Sequence, residues 1–372
     1  MNSIKISIPI ISLFILCSVN LSAQVQNNKQ YELLQNAVEK YEKMKDKDSW
    51  EAISLDNKSI LKVNEKSSAI KLIKARLELL GDLRKSHSLF GGRKSSSDVY
   101  TPNVEEAVKR FQLRHGMEDD GIIGPSVLKA LNTPPDTRIK QLQVNMNRLL
   151  SDTVHYPGKR IIANIPEYKL YVYDGKNEIL NMDIVVGKTT NQTVVFSDEI
   201  EHVVFSPYWN VPPNIVKNEI LPAMKKNSRY LRNENMEIVG EEDGMPKIRQ
   251  KPGPKNALGK VKFMFPNKYN IYFHDTPAKT LFERNSRAFS HGCIRLSKPF
   301  DLARVLLKDQ SGWSDDAIQR AMNAGVEKWV ALDQHVPVSI SYYTAWVDSE
   351  GKVHFRDDIY GHDNEMAKIN GQ

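Results

Sequence analysis

The chain has 372 residues, 40% hydrophobic and 26% charged, with a net charge of +7 and a pI near 9.0. That length exceeds one typical domain and the balance is that of folded protein, so two or three domains are expected and a large disordered fraction is excluded. The charge favours an anionic partner: nucleic acid, acidic lipid or a carboxylate-rich wall. With no Lys/Arg-rich run interleaved with aromatics, nucleic acid is the weakest of the three.

At the N-terminus Lys5 precedes the apolar run Ile6 to Leu16, and Leu21-Ser22-Ala23 ends in a small residue suited to cleavage before Gln24. Residues 1–23 read as an export signal, placing the protein in the periplasm or cell envelope; the run contains Pro9 and is shorter than the about 20 residues of a membrane span. Cys17 offers a second reading, a lipidated anchor, against which stands the bulky Leu16 before it. Cleavage would leave Cys293 as the single thiol, so no internal disulfide could form, and a free thiol in an oxidising compartment points to function.

Residues 24–68 are polar, with Leu33, Leu34, Ala37, Val38 and Tyr41 at near-helical spacing, and read as one helix and a linker. Residues 69–133 read as a small three-helix module. Ile70, Ile73, Leu77 and Leu80 form one stripe ending at Gly81; Thr101-Pro102 starts a second helix through Val104, Ala107, Val108 and Phe111; Val127, Leu128 and Leu131 mark a short third. Pro134-Pro135 opens a linker segment, 134–158, whose stripe Ile139, Leu142, Met146 and Leu149 is expected to pack on the next domain.

The apolar period then changes from 3.6 to 2. Arg160 to Ile165, Lys169 to Tyr173, Ile179 to Val186, Glu201 to Phe205, Val261 to Phe265 and Tyr269 to Phe273 read as strands of one β-rich domain over 159–346, closed by a hairpin of Val338 to Val347 with Val353 to Phe355. Residues 207–259 interrupt it with a helical stretch, Ile215 to Met224, and a polar tract punctuated by glycine and proline. At about fifty residues this is an insertion and not a simple loop, and its composition suggests few buried contacts. The tail 347–372 carries no recognisable signal.

The chemistry concentrates in Ser290-His291-Gly292-Cys293-Ile294-Arg295, with His274-Asp275-Thr276 upstream. A thiol needs a base or cationic field to act as nucleophile, and histidine is suited to that at neutral pH. Gly292 permits a sharp backbone turn before Cys293, so the Gly292 and Cys293 amides are candidate oxyanion donors. Pairing with His274 is expected to depress the thiol pKa below its usual value of about 8.5. No metal is expected, because His274, His291 and Cys293 lack a further ligand at metal spacing.

The order His, gap, Ser-His-Gly-Cys-x-Arg resembles the signature of the L,D-transpeptidase catalytic domain of YkuD type. Ser206-Pro207-Tyr208-Trp209-Asn210-Val211-Pro212-Pro213, Asn256-Ala257-Leu258-Gly259 and the Arg at 295, where Asn is commoner, resemble its large YcbB-type branch with a capping insertion. The helical module resembles the peptidoglycan-binding domain of type 1 through Ala107-Val108-Lys109-Arg110-Phe111-Gln112, His115-Gly116 and Asp120-Gly121-Ile122-Ile123-Gly124-Pro125, mostly core and turn positions.

The resemblance implies a multidomain α+β chain that joins stem peptides of peptidoglycan by 3-3 cross-links. Cys293 would form a thioester and expel D-Ala, His274 would be base and then acid, and the Asp275 carbonyl or side chain would orient its ring. Ser290, His291 and Arg295 would line the substrate site, and Tyr208 and Trp209 would pack either on the stem or in the core. Arg295 would dock a stem carboxylate or make an internal ion pair. No cofactor is implied, and carbapenem β-lactams are implied covalent ligands. A carboxypeptidase using the same residues, and a wall-binding protein without catalysis, are the rival readings.

Overall fold

The computed structural model describes residues 29–45, 50–84, 98–151 and 158–369, so the expected export signal and Cys17 lie outside the described residues. The chain divides into two compact units, one of residues 1–154 with 343–372, the other of residues 155–342. Among the described residues no helix is long and apolar enough to cross a membrane.

The first unit is helical: α1 (Lys29–Lys45), α2 (Ile70–Leu80), α3 (Pro102–Arg114), α4 (Pro125–Asn132) and α5 (Pro135–Ser151). Helix α2 ends where Gly81 takes a left-handed φ of 89° and its N–H returns to the Leu77 and Glu78 carbonyls, a conformation glycine adopts without steric cost. The stripes of α2, α3 and α4 bury together as expected. The preceding segment does more than link: Ile53, Leu55 and Leu61 join the same core, and Leu61 bridges Ile123. Helix α5 departs from expectation. Ile139 and Leu142 bury against Leu34, Ala37 and Tyr41 of α1 and against Ala345, Val347, Val353 and Phe355, within the first unit. An amphipathic stripe demands a cover without specifying which element supplies it. Of the expected hairpin of Val338 to Val347 with Val353 to Phe355, only Ala345–Val347 with Val353–Phe355 forms, within this unit and carrying the unassigned tail with it, while Val338 to Ser341 pair in the sheet of the other unit.

The second unit is built from β1 (Lys159–Asn164), β2 (Lys169–Asp174), β3 (Asn177–Gly187), β4 (Phe196–Phe205), β5 (Trp209–Asn210), β6 (Met236–Glu242), β7 (Met245–Gln250), β8 (Val261–Met264), β9 (Phe273–His274), β10 (Ala288–Ser290), β11 (Ile294–Leu296) and β12 (Lys328–Ser341). Nine strands form one sheet in the order β10-β3-β11-β9-β8-β4-β12-β1-β2. Strand β3 also pairs with β2, so the ladder returns on itself around a core that includes Ile161, Leu170, Ile184, Val203, Phe263, Phe273 and Val338. Alternation at β1 and β2 matches the expected period of two. The run Tyr269 to Phe273 does not form one strand: Asn267 turns the chain, its side chain bonding the Phe265 and Ile271 carbonyls and the Tyr269 and Ile271 amides, so only Phe273–His274 pairs.

The insertion is more ordered than its composition suggests. After a helical stretch from Pro213 to Lys226, β6 and β7 make a hairpin that pairs with β5. Val211, Ile215, Val216, Ile220 and Ile248 form its own apolar cluster, with Trp209, Leu221 and Met236 against it. The polar tract read after Met224 is therefore largely the hairpin, whose outer face is wet while Ile248 faces inward.

Candidate active site

Strands β9 and β11 run parallel, with Phe273 opposite Ile294 and His274 opposite Arg295. One residue back, Cys293 lies beside Tyr272, and the Ile294 N–H bonds the Tyr272 carbonyl. Because successive strand residues alternate in direction, Tyr272, His274, Cys293 and Arg295 share one face. The Tyr272 and His274 rings stand 5.8 Å apart. On the other side of β9, Lys262 is the antiparallel partner of His274. The sequence signature thus becomes one cluster across two neighbouring strands, with Lys262 of a third beside it.

His274 is buried, and its Nδ1 lies 2.5 Å from the Asp275 carbonyl. With the Nδ1 proton donated there, Nε2 carries the free lone pair of the neutral ring. Of the two orienting groups expected from Asp275, the carbonyl does this. The carboxylate instead accepts from the Lys260 N–H at 2.9 Å, the Thr276 N–H at 2.7 Å and Lys279 Nζ at 2.6 Å. Gly259, at φ +62°, lies so close that a Cβ would come 2.4 Å from that carboxylate. Burial first, then the Arg295 charge, pushes the His274 pKa down to about 3, and Lys262 and Lys279 act in the same direction.

The Cys293 thiol faces the Asn270 carbonyl at 3.5 Å and also interacts with Tyr272. Part of the side chain remains accessible, yet burial pushes its pKa up to about 11, against the opposing pull of Tyr272 and Arg295. The expected depression of the thiol pKa is therefore corrected: at neutral pH both thiol and imidazole are uncharged, because burial disfavours the ion in each. Tyr272, whose own pKa burial and the neighbouring thiol raise well above its usual value, went unnoticed in the sequence, where it read only as a strand aromatic.

The loop around Cys293 is held from within. Ser290 Oγ accepts from the Gly292 N–H at 3.1 Å and donates to the Cys293 carbonyl. Ser290 thus braces the loop from a buried position, and the Gly292 amide is engaged by it. Among the described residues the Cys293 amide makes no hydrogen bond. Gly292 sits at φ +119°, which a side chain would strain. His291 Nε2 meets Glu219 Oε1 of the insertion at 2.7 Å. Arg295 pairs with no carboxylate among the described residues, against the internal ion-pair alternative, and its Nε is buried without a partner. Tyr208 and Trp209 show the packing alternative: the Arg249 guanidinium lies 4.1 Å over the Tyr208 ring, and Trp209 packs on the insertion's cluster.

Residues 158–314, which hold this cluster, match the family described as "L,D-transpeptidase catalytic domain". Over these residues the chain is similar to L,D-transpeptidase catalytic domains. Residues 66–131, the helical module, match "Putative peptidoglycan binding domain". Over 257 residues the chain is 32% identical to a "Putative L,D-transpeptidase" of Haemophilus influenzae, covering 64% of this chain and 52% of that protein; it therefore spans about half the length of this curated relative. Among solved structures, an L,D-transpeptidase from Stackebrandtia nassauensis aligns at 13% identity and TM-score 0.29, over 76% of this chain and 94% of that one. An L,D-transpeptidase from Mycobacterium tuberculosis aligns at 16% and 0.25, over 50% and 58%. Strand β12, an interior strand of the sheet between β4 and β1, falls beyond the matched residues.

Proposed function

We propose that the protein is an exported, cysteine-dependent L,D-transpeptidase that forms 3-3 cross-links in peptidoglycan. The observation that carries this reading is the neutral His274 ring, tied at Nδ1 to the Asp275 carbonyl, on the same sheet face as the Cys293 thiol. The thiol attacks the carbonyl of the third stem residue as its proton passes to His274 Nε2. The C–N bond to D-Ala then breaks, and that proton leaves with the D-Ala amine. An acceptor amine on another stem attacks the thioester, forming the cross-link and returning the thiol. Proton transfer accompanies attack, since a standing thiolate–imidazolium pair is disfavoured by burial. Arg295, a cation without a carboxylate partner among the described residues, suits a stem carboxylate. The helical module would hold the enzyme on the wall, and a carbapenem would acylate Cys293 as a donor mimic.

The test is incubation of the mature protein, wild type and Cys293→Ala, with disaccharide tetrapeptides, followed by mass spectrometry. Dimers lacking one D-Ala, absent with Cys293→Ala, are the expected product. Monomers shortened by D-Ala would make the enzyme a carboxypeptidase, and unchanged substrate would leave only wall binding.

A further inference from the structure

The nucleophile loop has a second support that the reaction described above does not use. Thr193, fully buried in the loop between β3 and β4, donates from Oγ1 to the Gly292 carbonyl at 2.8 Å and accepts from the Gly187 N–H at 2.9 Å. The Gly187 bond occupies an acceptor site of the hydroxyl and leaves its single proton for Gly292. Gly187 admits this arrangement because it has no side chain: a Cβ there would come 2.1 Å from the Asn191 carbonyl and 2.8 Å from the Thr193 amide. The adjoining Lys188 N–H also bonds the Ser290 carbonyl at 3.0 Å, so the β3–β4 loop grips the motif at both Ser290 and Gly292.

The Gly292 carbonyl and the Cys293 N–H belong to one planar trans peptide and point in opposite directions. Holding the carbonyl toward Thr193 turns the N–H away from the β3–β4 loop, where it makes no hydrogen bond among the described residues. With the Gly292 amide engaged by Ser290, the Cys293 amide is the loop donor left for a developing oxyanion. We propose that Thr193 is a positioning residue for acyl transfer, fixing the Gly292–Cys293 peptide plane so that the Cys293 N–H serves as the oxyanion donor. This rests on Cys293 being the nucleophile.

Two reactions at the same sulfur separate this role from general support. Acylation by a carbapenem passes through a tetrahedral oxyanion, whereas alkylation by iodoacetamide displaces iodide at a saturated carbon and forms none. With Thr193→Val, which keeps the shape and removes the hydroxyl, acylation at Cys293 should slow on the order of 10²-fold, as when one oxyanion donor is lost. Alkylation of the same protein at pH 9 should be unchanged, and Thr193→Ser should restore acylation. Thr193→Ala serves if the valine variant folds poorly, because the ratio of the two rates is read on the folded fraction alone. Acylation at the wild-type rate, or equal slowing of both reactions, overturns the role of Thr193. A wild-type protein that gains no adduct at Cys293 from either reagent overturns the nucleophile reading itself.

Discussion

Arg295 and His274 are direct register partners across β11 and β9, and Lys262 is the partner of His274 on the opposite side. A buried imidazole is thereby flanked on both sides by cations. Burial is the leading cause of its lowered pKa, Arg295 the next, and Lys262 weaker. Arg295→Met should therefore raise the His274 pKa above about 3 by more than Lys262→Met does, and neither should return it to the usual 6.5 while the ring stays buried. The imidazole Hε1 resonance followed by NMR between pH 2 and 7 reads this directly. An Arg295→Met protein whose His274 titrates as in wild type would show that burial alone sets the value.

The thiol gives a test with the opposite sign. With a pKa raised to about 11, Cys293 is protonated at neutral pH, and the thiolate is about one part in 10⁴ at pH 7. Alkylation by iodoacetamide should be slow at pH 7 and climb about tenfold per pH unit towards pH 11. A rate that levels off between pH 7 and 8 would mean that a thiolate–imidazolium pair forms after all.

Gly259 controls the other end of the histidine's support. Its φ of +62° and the 2.4 Å approach of a Cβ to the Asp275 carboxylate both oppose a side chain. Gly259→Ala should cost about 2–3 kcal/mol through backbone strain and the displaced carboxylate. Since Asp275 also supplies the carbonyl that orients His274, activity should fall further than stability explains. Thermal melting beside turnover separates the two, and unchanged melting would show that the loop yields without strain.

What could be read from the sequence followed its periodicities. Ile70, Ile73 and Leu77 repeat as a helix does and form one, and β1 and β2 alternate as they should. The Cys293 and His274 cluster was legible because its motif is compact in sequence. Thr193 was not, since it lies 99 residues from the carbonyl it holds and a threonine between strands carries no signal of its own. The thiol pKa was misread for a related reason: a neighbouring histidine is visible in sequence, but the burial that outweighs it is not. The α5 stripe and the insertion hairpin failed likewise, because partner choice belongs to tertiary packing.

The insertion offers the remaining test. Its cluster of Val211, Ile215, Val216, Ile220 and Ile248 is its own, and Glu219 reaches from it to His291 in the loop before Cys293. A segment with a separate core can open as a separate unit while the nine-stranded sheet stays intact. Ile248 is 2% exposed, so Ile248→Ala leaves a cavity and should weaken the insertion by about 2–4 kcal/mol. Amides of β6 and β7 should then exchange with solvent faster, while those of β4 and β8 keep their protection. If closure of this segment excludes water from the thioester, the same variant should also raise hydrolysis relative to transfer. Hydrogen exchange and product ratios on one preparation decide the matter. Equal loss of protection in β4 and β8 would mean that insertion and sheet unfold as one unit, and no separate lid exists.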